Sequence, residues 1–205
     1  MVGSVPPAPQ FGAVLPIEAN PGVVGFLAKR RSASAMTLAA PGPDSAQLMD
    51  LLRLAARVPD HGKLAPWRFV ILSGEAKDAF AAKITALAGR QANPVKANAA
   101  LRKLTRPPVA VAVVSRYIPG DIAEWEQRQS ASAVCHQMLL AAEALGWGAN
   151  WITDWYSYDP EARDILGLGQ GELVAGYLYL GTVTEPPQER ARPDVARITT
   201  HWTAD

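Results

Sequence analysis

Val109-Ala110-Val111-Ala112-Val113-Val114 contains no polar side chain, and four of its six residues are valine. Valine is stiff at χ1 and packs well on a pleated surface, so the run reads as a strand. A strand with no apolar–polar alternation has both of its faces covered. The stretch is therefore expected to be a central strand with packing on either side.

Working outward from it, Trp67 to Leu72 and Leu173 to Val183 also read as strands, and Trp147 to Thr153 as a shorter one. Between them lie helical spacings. Leu48, Leu51, Leu52 and Ala55 repeat after a capping Asp44 or Ser45, and Phe80, Ile84 and Leu87 share one side of Glu75–Gly89. A further helix is expected over Pro94–Leu104, and a short one from Asp159-Pro160 to Gly167. Trp125 to Leu145 is helical, and from Ala131 onward it is apolar nearly all round. Such a helix lies inside a core or a subunit interface. At the other end, Asn20-Pro21 marks a helix start leading through Val23, Val24, Phe26 and Leu27 to Arg30-Arg31. Residues 1–21 form a Pro/Gly/Ala-rich extension, expected to be flexible or draped over a domain spanning 22–205. Helices flank a few strands without regular βα alternation, which specifies an α+β class and argues against a doubly wound dinucleotide fold.

Composition narrows the function classes. A chain of 205 residues with 49% hydrophobic content suits one domain with a sizeable core. A net charge of +1 leaves no electrostatic footprint for nucleic acid or an anionic membrane. Apolar runs are too short for a membrane span. Cys135 is the single cysteine, so neither an internal disulfide nor a cysteine metal cage can form, which fits a reducing, cytoplasmic compartment. Walker, Gly-x-Gly-x-x-Gly and His-x-x-x-His patterns are missing, and Cys135 and His136 are adjacent on a helix and diverge.

Two elements carry candidate chemistry. Arg30-Arg31-Ser32 offers two permanent cations and a hydroxyl, a set suited to a phosphate dianion. It also suits a helix C-terminus, where cations complement the dipole. Pro59-Asp60-His61-Gly62 is a tight polar turn running into Pro66-Trp67-Arg68-Phe69, and a lone histidine there serves equally as a hydrogen-bonded structural residue.

The order of these elements, followed by Trp147-Gly148-Ala149-Asn150-Trp151-Ile152-Thr153, resembles the nitroreductase family of FMN-dependent oxidoreductases. The likeness covers roughly residues 22–185 and is greatest to small single-domain members with a Pro-Asp-His turn. It implies a small mixed or antiparallel sheet wrapped by helices in an intertwined homodimer, with tightly bound FMN at the subunit interface. It further implies that NAD(P)H is the co-substrate and that flat acceptors such as nitroaromatics or quinones are reduced in a ping-pong reaction. The chemistry would occur at flavin N5, with no metal and no catalytic side chain. By the same resemblance Arg30, Arg31 and Ser32 would hold the phosphate and ribityl chain. His61 would lie against the flavin of the other subunit, and Trp151, Ile152 and Thr153 would line the ring, although a buried strand edge accounts for that last stretch equally well. Relatives carry a cation shortly after the serine where this chain has Ser34 and Ala35, and Arg57 is the candidate replacement. Lys63 and Ala65 stand where an asparagine and a glutamine are usual. These departures leave a non-catalytic FMN-binding protein, for storage or sensing, as the alternative.

Overall fold

The structure, a computed structural model, describes residues 5–204; part of the N-terminal extension, residues 1–4, lies outside them. Its helices are α1 (Pro21–Lys29), α2 (Ser45–Ala55), α3 (Gly74–Ala88), α4 (Pro94–Thr105), α5 (Glu124–Ala144) and α6 (Pro160–Leu166). Its strands are β1 (Leu38–Ala39), β2 (Trp67–Ser73), β3 (Val109–Ser115), β4 (Gly148–Ile152) and β5 (Leu173–Val183). Residues 5–20 form neither helix nor strand and are almost all exposed.

Helix starts follow local chemistry. Asn20, Asp44, Asn93 and Asp159 each accept a backbone N–H from the first turn, and proline follows at the first position of α1, α4 and α6. Asp44 and Gln47 complete a reciprocal capping box. Gly167 ends α6 at φ 78°, in the left-handed region. Helix α4 ends on a buried cation: Lys77 Nζ donates to the Leu104 and Thr105 carbonyls at 3.4 and 3.0 Å, complementing the negative helix end.

The strands form one antiparallel sheet in the order β1-β5-β3-β2, with β4 also paired to β5. Every residue of β3 is buried. The two-residue period of the strands divides the core. Ala110, Ala112, Tyr177 and Tyr179 face α3, α4 and α6, whereas Val111, Val113, Leu178 and Leu180 face α2 and α5. Of the mixed or antiparallel alternatives, the pairing is antiparallel throughout.

Of the two surroundings expected for helix α5, a core or a subunit interface, the chain itself supplies the first. Its apolar residues Ala131, Val134, Cys135, Met138, Leu139 and Ala142 are buried within this one chain, against α2 and the sheet. The face left over presents Ser132 and His136 to solvent, so lack of a polar face gives no reason for a partner there. Helix α1 leaves apolar surface uncovered: none of its residues is buried, and Val23, Val24 and Leu27 are 49–66% exposed. No helix among the described residues is long and apolar enough to cross a membrane.

Candidate functional site

Helix α1 stops at Lys29, just before the arginine pair expected to end it, because Arg30 turns extended (φ −53°, ψ 128°). Neither guanidinium folds back onto the helix carbonyls. Arg30 Nη1 donates to Ser32 Oγ at 3.1 Å, and Arg31 Nε to the Gln188 carbonyl at 2.9 Å. Both line a cavity of ≈ 630 Å³ together with Ser32, Asn150, Glu185 and Arg190. That volume lies within the range of small-molecule sites. A smaller cavity of ≈ 180 Å³ adjoins the same stretch and reaches Leu139 and Glu143 near the end of α5.

The cradle is built on the free edge of β4. Ala33 N–H donates to the Ala149 carbonyl at 3.1 Å, and Asn150 Nδ2 donates to the Ala33 carbonyl. The Asn150 Oδ1 atom is buried and has no hydrogen-bond partner, which is costly unless a ligand or water supplies a donor. Because the Ala149 carbonyl points away from β5, the strand period directs the Trp151 backbone groups to the same open edge. The Trp151 indole lies across Gly176 and donates to the Ala175 carbonyl at 3.2 Å. Ile152 packs into the core, and Thr153 is exposed just beyond the strand.

The Pro-Asp-His turn is held from several directions. Asp60 accepts the Leu64 and Ala65 N–H groups at 3.1 and 2.8 Å, the Arg116 guanidinium donates to the Ala65 carbonyl, and Ser130 donates to the Pro59 carbonyl. Lys63 (φ 55°) and Ala65 (φ 46°) occupy the left-handed region, a cost that persists only where the surroundings enforce it. His61 Nδ1 and Glu126 Oε2 are 2.8 Å apart at the wall of a ≈ 320 Å³ groove that also includes Gln129 and Ala133. Buried Gln127 bonds Ile118 N–H and the Ile118 and Ile122 carbonyls, fixing a loop whose Ile122 side chain lies on Gly62.

The site residues expected from sequence thus fall into two groups. Arg30, Arg31 and Ser32 gather near Glu143 and Asn150, while Trp151, Ile152 and Thr153 follow along β4 and line neither cavity. His61 sits at the opposite end of α5, beside Glu126. Glu126 and Glu143 are ~25 Å apart at about 1.5 Å per helical residue, so a single chain does not unite the groups. Arg57 is exposed just past the end of α2, with its backbone N–H on the Leu54 carbonyl. Asn150 and Gln127 were not singled out from sequence. Gln127 was detectable in principle, as a polar residue on the buried stripe 127-130-131-134-138 of α5. Cys135 is no nucleophile, since burial pushes its thiol up to about 12. Among the described residues no group of three or more metal-ligating side chains converges.

The chain matches the family model "Nitroreductase family" over residues 27–182. It is 33% identical over 172 residues to the protein named "Putative NAD(P)H nitroreductase YdjA" of Escherichia coli (strain K12), covering 83% of this chain and 91% of that one. It is 28% identical over 170 residues to a "Putative NAD(P)H nitroreductase" of Haemophilus influenzae, covering 82% and 91%. Among solved structures, a nitroreductase-like family protein from Bacillus cereus superposes with a TM-score of 0.76 at 21% identity, covering 91% of this chain and 99% of that one. A nitroreductase with bound FMN from Bacteroides fragilis gives 0.69 at 19% identity, covering 90% and 100%. With the family model matching residues 27–182 and a curated relative 33% identical over 83% of the chain, the chain belongs to the nitroreductase family.

Proposed function

We propose that this protein is an FMN-dependent oxidoreductase that uses NAD(P)H to reduce flat electron acceptors such as nitroaromatics or quinones. The observation that carries the reading is the cradle itself. A guanidinium paired with a hydroxyl, Arg30 and Ser32, shares a cavity of ligand size with Asn150, whose buried Oδ1 has no hydrogen-bond partner. A flavin mononucleotide needs this set: a permanent cation and a hydroxyl for its phosphate, and an acceptor for a ribityl hydroxyl or ring N–H.

In this assignment Arg30 and Ser32 bind the phosphate, Asn150 Oδ1 accepts a hydrogen bond, and the β4 edge at Trp151 and Thr153 lies along the ring. Bound FMN supplies the hydride acceptor and donor that no side chain here provides. The residues bind and orient; none is assigned a proton-transfer step. NAD(P)H and the acceptor would use the same open side in turn, which gives ping-pong kinetics. The reading places the protein in the cytoplasm.

The separation of His61 from Arg30 supports a homodimer. Two chains with their α5 helices antiparallel would bring His61 of one beside the cradle of the other, and the exposed apolar residues of α1 offer area for the contact. Purified protein is expected to be yellow, to oxidise NAD(P)H when a nitroaromatic is present, and to sediment as a dimer. A colourless preparation that takes up no added FMN would refute the cofactor, and a stable folded monomer would refute the shared site. Yellow protein without turnover would favour the storage or sensor alternative, to which the departures at Lys63 and Ala65 point.

A further inference from the structure

We propose that Arg31 is a latch that fastens the C-terminal tail, residues 185–192, across the cradle as a wall of the site, leaving Arg30 as the phosphate ligand of the pair. The inference rests on the flavin reading above and separates the roles of two adjacent arginines within it.

The two guanidiniums go to different places. Arg30 turns inward to Ser32. Arg31 reaches the Gln188 carbonyl at 2.9 Å, a contact across 157 positions of sequence. The tail answers with a second tie, Arg192 Nη2 to the Arg30 carbonyl at 3.3 Å, and Arg192 pairs with Glu189 at 2.9 Å. The Arg190 backbone N–H, with Arg192 and Arg31 after it, holds the Glu189 carboxyl below the usual carboxylate range, so Arg31 already faces a negative group. The tail leaves the sheet from a fixed point: Thr184 N–H and Oγ1 both donate to the Thr37 carbonyl, at 2.9 and 3.0 Å. Pro186-Pro187 then restricts the backbone on its way to Gln188. Glu185, Pro186, Pro187, Gln188 and Arg190 all line the larger cavity. Residues 186–192 are exposed and add nothing to either core cluster, so the ties at Arg31 and Arg192 hold the segment where packing does not.

A flavin in the cavity would then leave only when the tail lifts. Arg31 would set the release rate through the tail, whereas Arg30 would set affinity by direct contact.

The test compares the full chain with one ending at Glu185, which keeps both core clusters. If the shortened chain misfolds, the cleavage rates below, read in the full chain, carry the test. Tryptic cleavage after Arg190, followed by mass spectrometry in flavin-free protein, is expected to be about fivefold faster in Arg31→Ala and unchanged in Arg30→Ala. FMN dissociation, followed by flavin fluorescence, is expected to be about fivefold faster in Arg31→Ala in the full chain, with no further effect in the shortened one. Arg30→Ala is expected to weaken binding at both lengths. An equal effect of Arg31→Ala at both lengths would make Arg31 a direct ligand, and unchanged cleavage after Arg190 would show that it does not hold the tail; either overturns the proposal. Protein that binds no FMN sinks the flavin reading instead, and the cleavage rates still judge the latch.

Discussion

Replacing Gly176 by alanine tests how Trp151 is seated. On β5 Gly176 is the diagonal neighbour of Trp151, and a Cβ there would stand 1.9 Å from Trp151 Nε1 and 2.3 Å from its Cδ1. Neither distance is tolerable, so the indole must swing away from the strand. Doing so breaks its bond to the Ala175 carbonyl, worth about 1 kcal/mol. The indole is now only 36% exposed. Re-exposing roughly 80 Å² of it at about 25 cal/mol per Å² costs a further ~2 kcal/mol. Alanine returns about 0.5–1 kcal/mol through the lower backbone entropy of the unfolded chain. The net expectation is a loss of about 2 kcal/mol. In a Trp151→Ala background the clash has no partner, and the same change should be neutral or stabilising by about 0.5 kcal/mol. Urea unfolding of the four proteins measures the cycle through midpoints at constant slope. A cost for Gly176→Ala that is the same in both backgrounds would refute the seating of Trp151 on Gly176. Because Trp151 follows Asn150 on β4, the single variant should also weaken FMN binding if the flavin lies along that edge.

Other outcomes are as specific. Arg30→Ala is expected to lower FMN affinity about tenfold to a hundredfold in a fluorescence titration, the size of one charged hydrogen bond lost; unchanged affinity would remove Arg30 from the phosphate site. Glu172 receives Arg68 Nε and Nη2 at 2.7 and 2.6 Å, and these bonds, with the Gly169 N–H after them, hold its carboxyl below the ordinary value. A depressed carboxyl contributes stability above the unfolded pKa of about 4.3 and loses it as pH falls through the folded one. Glu172→Gln should therefore cost about 1 kcal/mol at pH 7 and flatten the acid limb of the stability curve below about pH 4.5, and parallel acid limbs would contradict this. Gln127→Leu should cost about 2 kcal/mol and speed amide exchange at Ile118, whose N–H loses its acceptor; equal exchange would show that the clasp does not organise the loop. Cys135 should resist thiol reagents until the protein is unfolded, and rapid labelling of native protein would contradict its burial.

Much of the fold was legible because it was written locally. The valine run of β3, the Leu48–Ala55 repeat and the Asp159-Pro160 start each state their conformation in adjacent residues, and the boundaries of β5 agree with the sequence reading to the residue. What stayed open had non-local causes. Helix α5 reads as a core or interface helix because its apolar residues run round it, and the cover they receive depends on α2 and three strands folding over it. The arginine pair reads as one unit, yet Arg31 meets a residue that lies 157 positions away.

By itself the sequence determined the class of the protein, its strands and helix starts, and the residue types able to hold a phosphate, because backbone preference, capping and charge act over a few neighbouring residues. Only the tertiary structure decided which groups meet: Asn150 with the cradle, His61 with Glu126, the tail with Arg31, and the cradle and the histidine turn at opposite ends of α5. Those meetings depend on how the sheet is ordered and which helix covers which face, and such long-range packing follows from the whole chain together, with no short stretch encoding it.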